Sequence, residues 1–117
     1  MRTIIAILAA GTMAACDDSG GEWRGECDIG EVEISVTMSL TDDEGDLSGS
    51  GTMSYTTLED QISEDATVSG FREGNEVEIE LQPDTVGEME IDAVMDGDVL
   101  SGTCMWASIE GTARLER

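Results

Sequence analysis

Three cysteines are the residues of this sequence whose type and spacing point most directly to chemistry. They are Cys16, Cys27 and Cys104, and the chain contains no histidine. A cysteine nucleophile is usually activated by a histidine, and metal sites usually combine cysteine with histidine or with further thiolates. The composition therefore argues against cysteine-based catalysis and against a metal site of cysteine and histidine.

Cys16 follows a segment with the layout of a secretory signal peptide. Arg2 supplies a positive charge, residues 4–10 (IIAILAA) form an apolar run, and two alanines precede the cysteine. The apolar run is shorter than the roughly 20 residues that a membrane-spanning helix needs. We therefore predict that residues 1–15 are a leader that is removed from the mature protein.

The four residues from Met13 to Cys16 (MAAC) resemble the lipobox of bacterial lipoproteins, in which an aliphatic residue and two small residues precede a cysteine. The resemblance implies cleavage before Cys16, lipidation of its thiol, and a protein that is anchored in the bacterial cell envelope and faces the periplasm. Asp17 implies the inner membrane if the enteric retention rule applies. Residues 16–21 would be the lipidated cysteine and a short tether. An ordinary leader beside an incidental cysteine is the alternative.

With Cys16 assigned to lipid, Cys27 and Cys104 remain as an even pair in an exported chain, which predicts a disulfide. The pair is separated by 77 residues, and closing so long a loop contributes about 4 kcal/mol in the chain-entropy model. A meander of eight strands places the pair two strand spacings apart, about 9.5 Å, whereas disulfide Cα atoms lie about 4.4–6.8 Å apart. We expect either a curled sheet at the bond or a strand count that differs by one.

Alternation of apolar and polar residues predicts β-strands along the mature chain. Residues 31–40 (EVEISVTMSL) place five apolar side chains on one face, and the same period of two recurs at 76–81 and 88–95. No helix-length periodicity interrupts this pattern, so we predict one all-β domain over residues 22–117. Weaker strands, rich in Gly, Ser and Thr, bring the expected number to eight and lie at about 22–29, 46–56, 65–72, 99–106 and 109–116.

A short fragment in which an aliphatic residue precedes a glycine by two positions recurs in four of these strands. Glycine inside a strand permits a sharp bend or the close approach of another backbone. Short turns that contain glycine join several of the strands. Together these features predict a small antiparallel up-and-down barrel, with a two-sheet β-sandwich as the alternative. The fragments begin at Leu47, Val68, Leu100 and Ile109.

The sequence Gly21-Glu22-Trp23 opens the first strand and Arg114 lies in the last, an arrangement that resembles the calycin pattern of lipocalins and their relatives. In that pattern, an arginine from the final strand covers the tryptophan of a Gly-x-Trp motif. The resemblance implies barrel closure with Arg114 over the ring of Trp23, a cation over an aromatic face. It implies no particular ligand.

The acidity of the chain limits the classes of partner that it can bind. Its 27 acidic and five basic residues give a formal net charge of −22. Such a surface repels nucleic acid and anionic lipid head groups, and it attracts cationic proteins or metal ions. Solvation in saline surroundings, with no specific partner, is the alternative explanation of the same composition.

Neither a catalytic centre nor a metal site is predicted. No pair of carboxylates stands out as an acid and base, so we expect no enzyme activity and no cofactor. Residues 42–46 (DDEGD) depart from the EF-hand template, because their glycine is fourth instead of sixth and Met53 replaces the closing glutamate. We expect a solvated acidic hairpin turn there, with a weak divalent-ion site as the alternative. Inside a barrel, Tyr55 and Trp106 are the residues that would stack on a small ligand, with core packing as their other role.

The function predicted from these features is that of a non-catalytic, membrane-anchored envelope lipoprotein acting as a binding or accessory module. An inhibitor of a cationic lysozyme-type enzyme and a carrier of a small ligand inside the barrel are the alternatives. Residues 50–55 (SGTMSY) are similar to the Ser-Gly-x-x-Tyr loop of acidic barrel lipoproteins that inhibit lysozyme, with a spacing that differs by one. No inhibitory residue is transferred from that family.

Overall fold

Eight antiparallel strands, joined in sequence order, close into a barrel in which the first strand pairs with the last. The computed structural model describes residues 18–57 and 59–117. The prediction of an all-β barrel with eight strands is confirmed. The two-sheet sandwich is wrong, because the strands form one closed sheet. The strands are β1 (Gly21–Asp28), β2 (Glu33–Asp43), β3 (Asp46–Thr56), β4 (Gln61–Glu73), β5 (Glu76–Pro83), β6 (Met89–Asp96), β7 (Val99–Trp106) and β8 (Ile109–Glu116).

The predicted leader at residues 1–15 and the predicted lipidation site Cys16 lie outside the described residues. Within the described ranges, no helix has the length and apolar character needed to cross a bilayer. The strand that departs most from its expected bounds is β4. β4 begins at Gln61 instead of about residue 65, because Ile62 continues the alternation and pairs with Tyr55 of β3.

The inward side chains of all eight strands form one buried core inside the barrel. Alternation is regular in β2, where each buried residue is followed by an exposed one. Each large aliphatic side chain removed from water contributes about 1.5–3 kcal/mol. The largest side chains in the core are at most 1% exposed and are Trp23, Ile34, Met53, Leu81, Met89, Ile91, Leu100 and Leu115.

The two ends of the barrel differ in the length of their connections. At the end that we call the lower end, two-residue turns occupy residues 44–45, 74–75 and 97–98, and residues 18–20 and Arg117 lie beside them. The left-handed backbone that such turns require is supplied by Gly74 and Gly97, with φ of 64° and 62°. The opposite, upper end carries the longer connections from β1 to β2, from β3 to β4 and from β5 to β6, together with one two-residue turn at residues 107–108.

Inward glycines let neighbouring strands approach more closely than side chains would allow. A Cβ atom at Gly70 would collide with the carbonyl oxygen of Glu78, and one at Gly102 would collide with that of Asp92. The sheet therefore coils strongly at these points, which a small closed barrel requires. The same close approach occurs at Gly25, Gly49 and Gly111.

Candidate functional site

The predicted disulfide between Cys27 and Cys104 is confirmed, with Cα atoms 6.0 Å apart. The two cysteines lie on β1 and β7, which are separated by β8. On β8, Ala113 stands opposite Cys27 and Gly111 stands opposite Cys104. Because these two residues fill little space, the sheet curls over β8 and the cysteines meet across it. The curled sheet thus resolves the expected conflict of distances, and the count of eight strands stands.

Trp23 anchors the lower end of the barrel and is fully buried. Its indole Nε1 donates a hydrogen bond to the carbonyl oxygen of Ser19, at 2.8 Å. The guanidinium carbon of Arg117 lies 4.6 Å from the centre of the ring. A cation in this position is attracted by the electron-rich face of the indole.

The expectation that Arg114 covers Trp23 is wrong, because the covering cation is Arg117. Ala113 and Leu115 face the core, so the alternation of β8 turns Arg114 outward. There its side chain is 63% exposed and lies 3.6 Å from the carboxylate of Glu116. Arg117 follows the end of β8, where its side chain can fold back over the barrel end.

Arg117 joins the segment before β1 to the turn between β6 and β7. Its guanidinium donates hydrogen bonds to the carbonyl oxygens of Asp18 and Gly20, both at 2.9 Å. It also donates to the carbonyl of Gly97 at 3.1 Å and pairs with the Asp98 carboxylate at 3.0 Å. Residues 18–20 are therefore held against the barrel instead of forming a free tether.

A second arginine contact holds the same segment. The carboxylate of Asp42, fully buried, accepts from Arg72 Nε at 2.6 Å, from the backbone N–H and hydroxyl of Ser19, both at 2.8 Å, and from the Gly45 N–H at 2.8 Å. Burial by itself raises the pKa of Asp42, but these donors outweigh it and hold the pKa well below its usual range. Asp42 is thus a structural carboxylate, saturated by donors from the protein.

Tyr55 and Trp106, the candidate ligand-facing residues, lie together at the upper end. Their ring centres are 5.3 Å apart and the planes are tilted by 56°, a geometry typical of attractive aromatic pairs. Both side chains are partly buried and pack against the core. Trp106 Nε1 also donates to the carbonyl of Gly87, at 3.0 Å. The pair packs as a cover over the core.

The connection between β5 and β6 is fixed at a second point by Glu64. The backbone N–H of Thr85 donates to one carboxylate oxygen at 2.9 Å, and the Thr85 hydroxyl donates to the other. These hydrogen bonds lower the pKa of Glu64 because they stabilise its charged form. Glu64 and Trp106 together hold this connection across the upper end.

Residues 50–55, which are similar to an inhibitory loop, lie within β3. Residues 50–54 are paired with β2 on one side, and residues 50–55 are paired with β4 on the other. The segment is consequently a central stretch of sheet instead of a loop that could enter an enzyme cleft.

The outer surface of β5 and β6 carries acidic residues directly opposite one another. Glu78 faces Asp92, and Glu80 faces Glu90. Like charges in such cross-strand pairs destabilise a sheet. The three ion pairs found among the described residues involve other carboxylates. We call this surface, together with Glu73 at the end of β4, which stands opposite Glu76, the acidic wall. Its residues are Glu73, Glu76, Glu78, Glu80, Glu90 and Asp92.

Two large apolar side chains are exposed beside the acidic wall. Phe71 on β4 is 52% exposed and stands opposite Glu78, while Val94 on β6 is 48% exposed and stands opposite Glu76. Two depressions of about 400 and 260 Å³ run along this face and share Phe71, Glu78 and Asp92. Sequence reasoning missed this surface, although Phe71 is out of phase with the buried residues Ala66 and Val68 of its strand.

In the part of the chain that the structure describes, no group of three or more acidic or cysteine side chains is placed to hold a metal ion. In the DDEGD turn, the oxygens of Asp42 already accept hydrogen bonds from protein donors.

Comparison with known proteins does not assign the chain to a family. No protein-family model matches this chain, and a search of curated proteins found no significant match. The closed, eight-stranded antiparallel barrel is consistent with a calycin-like fold.

Proposed function

We propose that this protein is an envelope lipoprotein, anchored through Cys16, whose barrel is a non-catalytic module that binds cationic macromolecules. The observation that carries the proposal is the acidic wall, in which Glu78 faces Asp92 and Glu80 faces Glu90. None of these four carboxylates takes part in the ion pairs found among the described residues. Solvation alone requires acidic residues but does not require them to face one another. A cationic partner would relieve this repulsion, and that relief favours binding.

The lower end of the barrel supports the proposed anchor. Residues 18–20 are bound to Arg117 and Asp42, and only two peptide steps, about 7 Å of extended chain, separate Cys16 from Asp18. Lipid on Cys16 would therefore hold the lower end at the membrane surface. The upper end would then point into the periplasm, with the acidic wall on the flank.

The alternatives receive less support from the same geometry. Tyr55 packs on Trp106, and both contact the buried core. These two aromatic side chains are therefore engaged with each other and with the core, which gives the interior carrier less support. Residues 50–55 are strand residues of β3, so a lysozyme inhibitor of the loop-insertion type is not favoured.

The anchor is tested by expressing the whole chain in a bacterium and weighing the mature protein. An acyl mass on Cys16, together with release of the Cys16→Ser variant from membranes, is the expected result. A soluble wild-type product without acyl mass overturns the anchor and leaves the binding proposal to its own test.

Binding is tested with the mature chain carrying Cys16→Ser, since the described residues alone form the closed barrel. We expect it to associate with a cationic lysozyme but not with an acidic protein of similar size. The affinity should fall steeply from ~0.15 M to ~1 M salt, because the Debye length shrinks from about 8 Å to 3 Å. A lysozyme activity assay in the same buffer separates binding from inhibition. Failure to bind several cationic proteins at low salt would overturn the proposed function.

A further inference from the structure

We propose that the outward face of β4, β5 and β6, between Phe71 and Val94, is a docking groove for a cationic protein segment that carries an apolar side chain among its basic residues. This inference rests on the proposed function and narrows it. The proposed function requires only that cationic partners bind, whereas the groove assigns the contact to one face of the barrel.

The groove combines apolar area with a concave shape. Phe71 and Val94 are both about half exposed, and both line the larger depression of about 400 Å³, together with part of the Val77 and Ala93 surface. Phe71 is the sole phenylalanine of the chain. Exposed aromatic side chains beside polar groups are typical of the residues that contribute most to the binding energy of protein interfaces.

The charges around the groove specify the partner. Glu73, Glu76, Glu78 and Asp92 line the same depression, and residues opposite each other on neighbouring strands have Cβ atoms about 4.5–5.5 Å apart. A segment with lysine or arginine on both sides of an apolar residue would place its cations against these carboxylates and its apolar side chain against Phe71. A second copy of this chain or an anionic membrane would be repelled by the same groups.

The topology limits other ways to engage a partner. Every strand of the barrel is paired on both sides, so the described sheet offers no free edge to which a partner strand could add. A partner must therefore contact side chains on the outer wall. Gly70 and Gly102 line the two depressions, and their close backbone contacts with Glu78 and Asp92 hold the floor of the groove in shape.

The test uses two synthetic peptides of equal positive charge and the Cys16→Ser mature chain. One peptide carries a leucine between its lysines, and the other carries a serine there. We expect the leucine peptide to bind about tenfold more tightly. Phe71→Ser should remove this preference, whereas Ile109→Ser, a matched change at another exposed apolar residue of 51% exposure, should leave it intact.

The charge requirement is tested with a double variant and a control of equal charge. Glu78→Gln with Asp92→Asn should weaken binding of the leucine peptide by about tenfold more than Glu22→Gln with Glu31→Gln. Glu22 and Glu31 are exposed and lie on β1 and in the connection that follows it. Thermal melting of each variant checks that the barrel is intact.

The possible failures separate the two proposals. If both double variants weaken binding equally, or if Phe71→Ser leaves the leucine preference unchanged, the groove is overturned while binding of cationic partners stands. If neither peptide nor any cationic protein binds the unaltered barrel, the proposed function itself falls.

Discussion

Arg117 lies over Trp23, with the guanidinium carbon 4.6 Å from the ring centre, and the same guanidinium binds the carbonyl oxygens of Asp18 and Gly20. One side chain at the end of the last strand therefore covers the core and fixes the segment that precedes the first strand. Chain regions 97 and 99 residues apart are joined by these two hydrogen bonds. Closure of the barrel at this end depends on Arg117.

Replacement of Arg117 by alanine should lower the free energy of unfolding by about 2–3 kcal/mol, because a cation–π contact and several hydrogen bonds are lost together. Arg114→Ala is the control, and we expect it to change stability by less than about 0.5 kcal/mol because its ion pair is exposed. Denaturant unfolding of both variants measures the difference. A larger loss for Arg114→Ala than for Arg117→Ala would contradict the assignment.

The buried carboxylate of Asp42 should make stability depend on pH. Its pKa is lowered in the folded state, so the folded protein holds the charged form more strongly than the unfolded chain does. The stabilisation is present above the ordinary aspartate pKa of about 4 and is lost progressively as the pH falls below it.

The variant Asp42→Asn should therefore cost about 3 kcal/mol at neutral pH, because it leaves Arg72 without its partner. The gap between the unfolding free energies of the variant and the wild type should narrow as the pH falls below about 4. Unfolding curves recorded at several pH values measure it. A gap that stays constant down to strongly acidic pH would show that folding does not lower the pKa of Asp42.

Loss of the bond between Cys27 and Cys104 should destabilise the barrel by about 3–4 kcal/mol, since the bond closes a long loop of the unfolded chain. The double variant Cys27→Ala with Cys104→Ala and the reduced wild type should show similar losses in unfolding experiments. Peptide mapping without reductant provides the direct control, and recovery of two free thiols from the native protein would refute the bond.

The repulsion within the acidic wall predicts that a reversed charge there stabilises the barrel. Asp92→Lys, which places a cation opposite Glu78, should raise the free energy of unfolding by about 0.5–1 kcal/mol at low salt. Glu22→Lys makes the same change of net charge opposite Ser39 and should have a smaller effect. High salt should remove the difference between the two variants. Equal effects at every salt concentration would mean that only net charge matters.

Local patterns in the sequence determined the class of the fold, the number of strands and the orientation of most side chains. The alternation in residues 31–40 and 76–81 is a property of neighbours along the chain, and a strand turns successive side chains to opposite faces whatever it pairs with. The pairing of Cys27 with Cys104 followed from an even count of cysteines after the proposed lipid site. The alternation along β4 also predicts that Phe71 points outward, because it is out of phase with Ala66 and Val68. The sequence does not show, however, that Phe71 stands beside Glu78 of β5.

Relationships between distant strands were decided by the tertiary structure alone. The register across β5 and β6 places Glu78 against Asp92, and register depends on turn lengths and on barrel closure, which join residues far apart in sequence. The choice of Arg117 over Arg114 depends on where β8 ends relative to Trp23. The approach of Cys27 to Cys104 depends on how tightly the sheet curls over Gly111 and Ala113. Short-range alternation carries none of this information, because it specifies which face a side chain takes but not which strand lies beside it.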